Sequence, residues 1–258
     1  MVTLIEAFIL AVVQGLTEWL PVSSSGHLVI AQQFLGLNPP LIFDLMLHVG
    51  TLVVVLVVFR QDIIDILKAL ARRDIRSDDG KLAIYIVVGS IPIAVVGVTL
   101  RGTIEQLFSN ILAVGVALIV TAAILFVSEK REGNKKIGAL DSLIVGLAQA
   151  AALIPGISRS GTTISTGLLR KLDKQAAFKF SFLLSAPAIL AATVFEIKDL
   201  ATTNLDAAPI IIGTIVSMIV GYISLKILQR IVMSQKFHLF AYYCAAVGAA
   251  IIFYMTIQ

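Results

Sequence analysis

Charge and cysteine are what this sequence has least of. Of its 258 residues, 14% are Asp, Glu, Lys or Arg, whereas 58% are hydrophobic. A soluble domain carries roughly 25% charged residues, so neither a water-soluble enzyme nor a disordered chain fits. The single cysteine, Cys244, excludes an internal disulfide and lies in an apolar run, as a small packing residue does. A net charge of +4 on so apolar a chain gives no reason to expect a nucleic-acid partner, and no nucleic-acid motif is present. No basic stretch precedes the first apolar segment and Glu6 comes early. That segment is therefore expected to belong to the mature fold and not to a cleaved signal peptide.

What is abundant is apolar sequence in membrane-sized lengths. Asp, Glu, Lys and Arg are absent from residues 45–59, 82–100, 111–128, 180–195, 207–225 and 237–258. A membrane helix needs about 20 apolar residues, fewer when flanking side chains snorkel, so six transmembrane helices are expected. Pro92 and Pro187 fall inside two of them, which neighbouring helices tolerate. Residues 2–35 and 141–169 differ. Each is interrupted by Pro, Ser and Gly and holds a charge near its centre, Glu18 in one and Arg159 in the other. They are expected to be broken, re-entrant helices, because irregular backbone at membrane depth survives only when buried or lining a cavity. The fold class is thus an all-α integral membrane protein, a single domain over 1–258.

Loop charges predict its orientation. Lys and Arg number six in 60–81, four in 130–136, four in 170–179 and three in 226–236, while the alternate loops hold only Arg101 and Lys198. Seventeen against two places the basic loops in the cytoplasm. The alternation closes if residues 2–35 dip in from outside, 141–169 dip in from inside and both termini lie outside.

The chain also repeats. Gln14-Gly15-Leu16 leads to Ser23-Ser24-Ser25-Gly26-His27, and Gln149-Ala150-Ala151 leads to Ser158-Arg159-Ser160-Gly161-Thr162. Gly89 and Gly97 resemble Gly213 and Gly221. Residues 1–132 and 137–258 then read as two copies, each with one broken segment and three spans. An odd number of spans inverts the second copy, the plan of many transporters, with a site where the broken helices meet. The glycines leave open packing within one chain or between two copies in a homodimer.

The two broken segments carry the chemistry. Pro21 interrupts a helix, and the serines after it are N-cap residues for a helix restarting near Gly26. Pro155-Gly156-Ile157-Ser158-Arg159 repeats the device. Helix N-termini expose unpaired N–H groups and attract anions, and Arg159 adds a fork that matches phosphate oxygens. The expected ligand is a phosphate or pyrophosphate. Glu18 and Arg159 each cost about 2.5–3.5 kcal/mol in a membrane helix, so a function is expected of both; the alternatives are a Glu18–Arg159 ion pair that only holds the halves together, or one that exists in the resting site and opens for substrate. Ser24 and His27 are spaced to share a helix face, a nucleophile–base arrangement. Gln14 and Glu18, at i and i+4, could hold a metal or water. Asp44 and His48 form another i, i+4 pair, read as interfacial and solvated, with a place beside the site as the alternative. His238 reads as structural, and Trp19, Tyr242, Tyr243 and Tyr254 as interface anchors or packing.

Gln14-Gly15-Leu16-Thr17-Glu18-Trp19-Leu20-Pro21-Val22-Ser23-Ser24-Ser25-Gly26-His27 and Pro155-Gly156-Ile157-Ser158-Arg159-Ser160-Gly161-Thr162-Thr163 resemble the two signatures of the undecaprenyl-diphosphate phosphatase family, the BacA/UppP type. The resemblance covers the whole chain. It implies a multi-pass cell-membrane enzyme that removes the terminal phosphate of undecaprenyl diphosphate, recycling the carrier lipid for peptidoglycan synthesis, with a link to bacitracin resistance. It further implies a divalent cation, Mg²⁺ or Ca²⁺. Where family members have glutamate at the first motif position, this chain has Gln14, which leaves Glu18 as the one metal-binding carboxylate. Carried over by position, Ser24 is the nucleophile, His27 its base or proton shuttle, Glu18 the acid/base or metal partner and Arg159 the phosphate clamp. Gln14, Ser23, Ser25, Gly26, Ser158, Ser160, Gly161 and Thr163 would contact substrate. Direct attack by water activated by Glu18 or His27 is the rival chemistry, and a polyprenyl-phosphate transporter or flippase the rival function.

Overall fold

The computed structural model describes residues 2–128, 133–196, 207–234 and 236–257. Twelve helices form among the described residues, and no β-sheet does. They are α1 (Leu4–Trp19), α2 (Ser24–Leu35), α3 (Leu41–Val58), α4 (Arg60–Ala71), α5 (Asp78–Thr99), α6 (Arg101–Phe108), α7 (Ile111–Ser128), α8 (Ala139–Ala151), α9 (Arg159–Leu169), α10 (Lys174–Glu196), α11 (Ala207–Met233) and α12 (Leu239–Thr256). Six of them, α3, α5, α7, α10, α11 and α12, are long and apolar enough to cross a membrane, and they cover the six charge-free stretches to within two residues at the ends. Large apolar side chains stand exposed along them, among them Val87, Val98, Ile219, Ile223 and Phe253. So continuous an apolar exterior suits lipid rather than water.

The two interrupted segments are each a pair of short helices. Leu20, ahead of Pro21, is extended at φ −62, ψ 143, because proline pushes the preceding residue out of helical geometry. The chain turns through Ser23 at φ 70 and restarts as α2 at Ser24. α8 likewise ends ahead of Pro155-Gly156, Gly156 sits at φ 99, and α9 starts at Arg159 with Ser158 as its cap. Two further helices lie where sequence reading placed loops. α4 and α6 carry charges throughout, and ion pairs such as Arg101–Glu105 at 2.7 Å, one helical turn apart, support them.

Packing joins early helices to late ones. α1 lies against α11 and α8 against α5, while α7 pairs with α12 and α3 with both α10 and α11. Hydroxyls tie these interfaces to backbone carbonyls: Ser224 donates to the Leu16 carbonyl at 2.7 Å and Ser217 to that of Leu47 at 2.9 Å. Between helices in lipid such bonds act as polar glue. Below the site, Trp19 and Phe182 lie 5.2 Å apart, with Phe59 and Phe178 against Phe182 at 5.8 and 4.6 Å. That aromatic core fixes the end of α1 against α10.

At the start of α8, the buried Asp141 carboxylate accepts from Lys135 Nζ at 2.8 Å and Arg170 Nε at 2.9 Å. The second broken segment is thereby held at both its ends. Asp141→Asn should lower thermal stability in detergent by about 1–3 kcal/mol, since two cations lose a buried partner. Asp78→Asn, which removes only an exposed 3.4 Å pair with Lys136, should stay within about 0.5 kcal/mol of wild type. Equal effects from the two would contradict this assignment.

Candidate functional site

The site lies where α1 and α2 meet α8 and α9. Glu18, in the last turn of α1, is 6% exposed. Its Oε1 pairs with Arg159 Nη2 from the first residue of α9. Its Oε2 accepts from the Ser24 hydroxyl at 2.6 Å and from Gln14 Nε2 at 2.9 Å. Gln14 reaches the carboxylate because it sits one turn earlier on α1. Ser24 reaches it because the break at Pro21 folds the start of α2 back beside the end of α1. The Arg159 guanidinium also lies 5.2 Å from the Trp19 ring centroid, a cation–π contact.

Ser23 joins the two breaks. As N-cap of α2 it accepts from the Gly26 amide at 3.3 Å, and across the interface from the Gly156 amide at 3.0 Å. Gly26 permits this approach, because a Cβ there would stand 3.0 Å from the Gly156 Cα. Gly156, in the left-handed region, is hemmed in by the Val114 carbonyl. Its own carbonyl accepts from Thr121 Oγ1 at 2.8 Å, and the same hydroxyl accepts from the Ser158 amide at 3.1 Å. Ser158 caps α9 by accepting from the Gly161 amide at 3.1 Å. The Ser25 hydroxyl lies 3.3 Å from that of Ser23, and Ser160 donates to the Leu20 carbonyl at 3.3 Å.

Gln14, Glu18, Ser24 and Arg159 therefore form one cluster, and Ser23, Ser25, Gly26, Ser158, Ser160 and Gly161 form the joint beneath it. Two expected members face elsewhere. Thr163 donates back to the Arg159 carbonyl at 2.7 Å and shares a 2.5 Å contact with the Ser181 hydroxyl on α10. His27 turns to α12, with Nε2 2.8 Å from the Tyr243 hydroxyl, and does not meet Ser24. The imidazole at the carboxylate is instead that of His48 on α3, whose Nε2 lies 3.5 Å from Glu18 Oε2 while its Nδ1 donates to the Asp44 carbonyl at 2.8 Å. Asp44 is half-buried and bound by Gln32 Nε2 at 2.8 and 2.9 Å. Of the two readings of the Asp44–His48 pair, the contacts of His48 favour a place beside the site: α3, packed on α1 and α11, sets its imidazole at Glu18. Its i, i+4 spacing was legible, but its neighbour Glu18 was not.

Three buried polar atoms at the cluster have no hydrogen-bond partner among the described residues: Arg159 Nη1, Gln14 Oε1 and Trp19 Nε1. Unpaired buried donors and acceptors are rare in folded proteins, and each calls for an explanation. Arg159 Nη1 is a donor of the kind an oxyanion takes, whereas the Gly26 and Gly161 amides at the starts of α2 and α9 are bound by their cap serines. Glu18 and the Gln14 carbonyl provide two oxygens of the kind hard cations take. No cluster of three His, Cys, Asp or Glu capable of holding a metal occurs among the described residues. A Mg²⁺-like ion usually binds one or two protein oxygens and completes its shell with phosphate and water. The donor set fits a cation held that way.

Six helices apolar enough to cross a membrane, together with a largely buried serine–carboxylate–arginine cluster, define the class: a polytopic helical membrane protein. The chain belongs to the BacA family: the family model described as bacitracin resistance protein BacA matches residues 7–250, and the protein is multi-pass in the membrane. It is 40% identical over 266 residues to a protein of Methanosphaera stadtmanae named undecaprenyl-diphosphatase, covering 96% of each chain. Proteins of the same name from Methanobrevibacter smithii and Halothermothrix orenii are 42% identical over 263 residues and 43% over 255, covering 95% and 96% of each chain.

Ser23→Ala should destabilise the protein by about 1–3 kcal/mol, because the buried Gly156 amide loses its acceptor. Thermal unfolding in detergent without substrate checks this. An unchanged Tm together with weakened substrate binding would instead make Ser23 a substrate contact only.

Proposed function

We propose that this protein is an undecaprenyl-diphosphate phosphatase, an enzyme that hydrolyses the terminal phosphate of a polyprenyl diphosphate within the membrane and returns the monophosphate carrier for cell-wall synthesis. The name shared by its near-full-length relatives supports this reading, as does the hydrogen bond of 2.6 Å from Ser24 to Glu18 beside Arg159. Transport of a lipid phosphate would need the arginine but not a hydroxyl bound to a carboxylate.

In the resting state the Glu18 charge is shared among Arg159, Ser24, Gln14 and the nearby His48. An incoming diphosphate offers Arg159 a second, doubly charged partner, and its unpaired Nη1 provides a further donor. With Arg159 drawn to the phosphate, the carboxylate is left to pull on the Ser24 proton. Ser24 Oγ attacks the terminal phosphorus in line and its proton passes to Glu18. The bond from phosphorus to the bridging oxygen breaks, and the lipid monophosphate leaves with that electron pair. Water then hydrolyses the phosphoserine, with Glu18 managing the proton. The amides at the starts of α2 and α9 and the Arg159 fork stabilise the charge that develops on the phosphoryl oxygens. A bound divalent cation, held by Glu18 and the Gln14 carbonyl, would neutralise part of the diphosphate charge. In this reading Glu18, given an acid/base role by the resemblance, acts as the base in place of His27.

Finer architecture belongs to the same reading. Residues 1–132 and 137–258 form an inverted repeat, with α1–α2 and α8–α9 as re-entrant pairs within one membrane domain. The exchanged packing of α1 on α11 and of α8 on α5 supports it: each broken segment leans on the corresponding span of the opposite copy. The loop charges support a reading in which both termini lie outside a cell membrane. Gly89, Gly213 and Gly221 are taken up by packing within the chain, against Ser142, Leu47 and Thr51, so they lend no support to the expected homodimer; no nucleic-acid partner is expected.

Purified protein in detergent should release phosphate from undecaprenyl diphosphate. Ser24→Ala and Arg159→Ala should each reduce kcat/KM at least about a hundredfold, and EDTA should reduce release reversibly on Mg²⁺ addition. Lipid binding without phosphate release by the wild type would sink the enzyme reading.

A further inference from the structure

His27 belongs to the family motif, yet both of its ring nitrogens are engaged away from Ser24. Nδ1 lies 2.8 Å from the Ser23 carbonyl oxygen. A carbonyl only accepts, so Nδ1 carries the proton, and the neutral ring's Nε2 is an acceptor. The Tyr243 hydroxyl, at 2.8 Å, donates to it. The two rings also stack, with centroids 5.6 Å apart and planes 12° apart. The next residue on α12, Cys244, points its thiol at the Pro21 carbonyl, 3.5 Å away. Two consecutive α12 residues therefore grip the first break on either side of Ser23.

Ser23 is where that grip has an effect. It is a non-glycine residue at φ 70, a conformation that costs of the order of 1–3 kcal/mol unless its surroundings hold it. His27 holds its carbonyl twice, through its backbone N–H at 3.1 Å and through Nδ1 at 2.8 Å. The same turn sets the Ser23 hydroxyl on the Gly156 amide and delivers Ser24 to Glu18. Resting on the phosphatase reading above, we propose that Tyr243 is a positioning residue: it fixes the tautomer and plane of His27, and through His27 it keeps the Ser23 turn strained in the conformation that aims Ser24 at the phosphate. His27 then serves the reaction by orientation, not by taking the Ser24 proton.

The test compares steady-state phosphate release from undecaprenyl diphosphate for wild type, Tyr243→Phe, His27→Ala, His27→Asn and the Tyr243→Phe/His27→Ala double variant, each with a Tm in the same detergent. Tyr243→Phe keeps the stacked ring and removes one hydrogen bond. It should lower kcat about three- to tenfold, leave KM within about twofold and leave the pH profile unshifted. On a His27→Ala background the same change should add nothing, because the tyrosine acts through the imidazole. His27→Asn, whose carboxamide can still donate to the Ser23 carbonyl, should recover a large part of what His27→Ala loses. A wild-type rate in Tyr243→Phe, additive losses in the double variant, or a His27→Asn as inactive as His27→Ala and with an altered pH profile would each overturn the proposal. An inactive wild type would instead overturn the phosphatase reading itself, and a fall in Tm parallel to the loss of rate would reduce Tyr243 to packing.

Discussion

The Glu18–Arg159 ion pair is the constraint around which this membrane protein is organised. Neither charge is stable alone in an apolar interior, where losing one partner of a buried pair costs several kcal/mol. Each sits at the interrupted end of a broken segment, one in the first half of the chain and one in the second. Bringing the charges together therefore brings the breaks together. Ser23 on the Gly156 amide and Thr121 on Gly156 and Ser158 then satisfy backbone groups that the breaks release.

The same pair links architecture to chemistry. A site that recognises a diphosphate needs a concentrated positive potential, but an unpaired arginine in lipid would destabilise the empty protein. Pairing with Glu18 resolves this, because the substrate can take the arginine over and leave the carboxylate facing a serine proton. The unpaired Nη1 leaves Arg159 a further donor of the kind an oxyanion takes. The exposed apolar faces of the surrounding helices let a prenyl chain remain in lipid while its head reaches polar groups.

Much of this was legible from residues alone. Six charge-free stretches marked six long helices, because exclusion of charge is what lipid demands. The motifs located both breaks, because Pro and capping serines act locally. α4 and α6 went unread, since helices supported by charge pairs leave no apolar gap. Ser24 and His27 have a spacing that suggests partnership, but helical spacing fixes only which side chains share a face and not what comes to meet them. Glu18 reaches Ser24 around the turn, Tyr243 captures His27 from α12, and His48 arrives at Glu18 from α3. The first contact crosses a six-residue break whose turn geometry the spacing does not encode, and the other two are tertiary, set by packing of α12 and α3 on the first broken segment.

The central claim is that substrate replaces Glu18 as the partner of Arg159. A structure of the Ser24→Ala protein with undecaprenyl diphosphate bound tests it most directly. The account predicts the Arg159 guanidinium on oxygens of the terminal phosphate, its bond to Glu18 Oε1 broken and that phosphorus opposite the position of the missing Ser24 hydroxyl. A diphosphate bound with the Glu18–Arg159 pair intact, or with its terminal phosphate away from the start of α2, would contradict it.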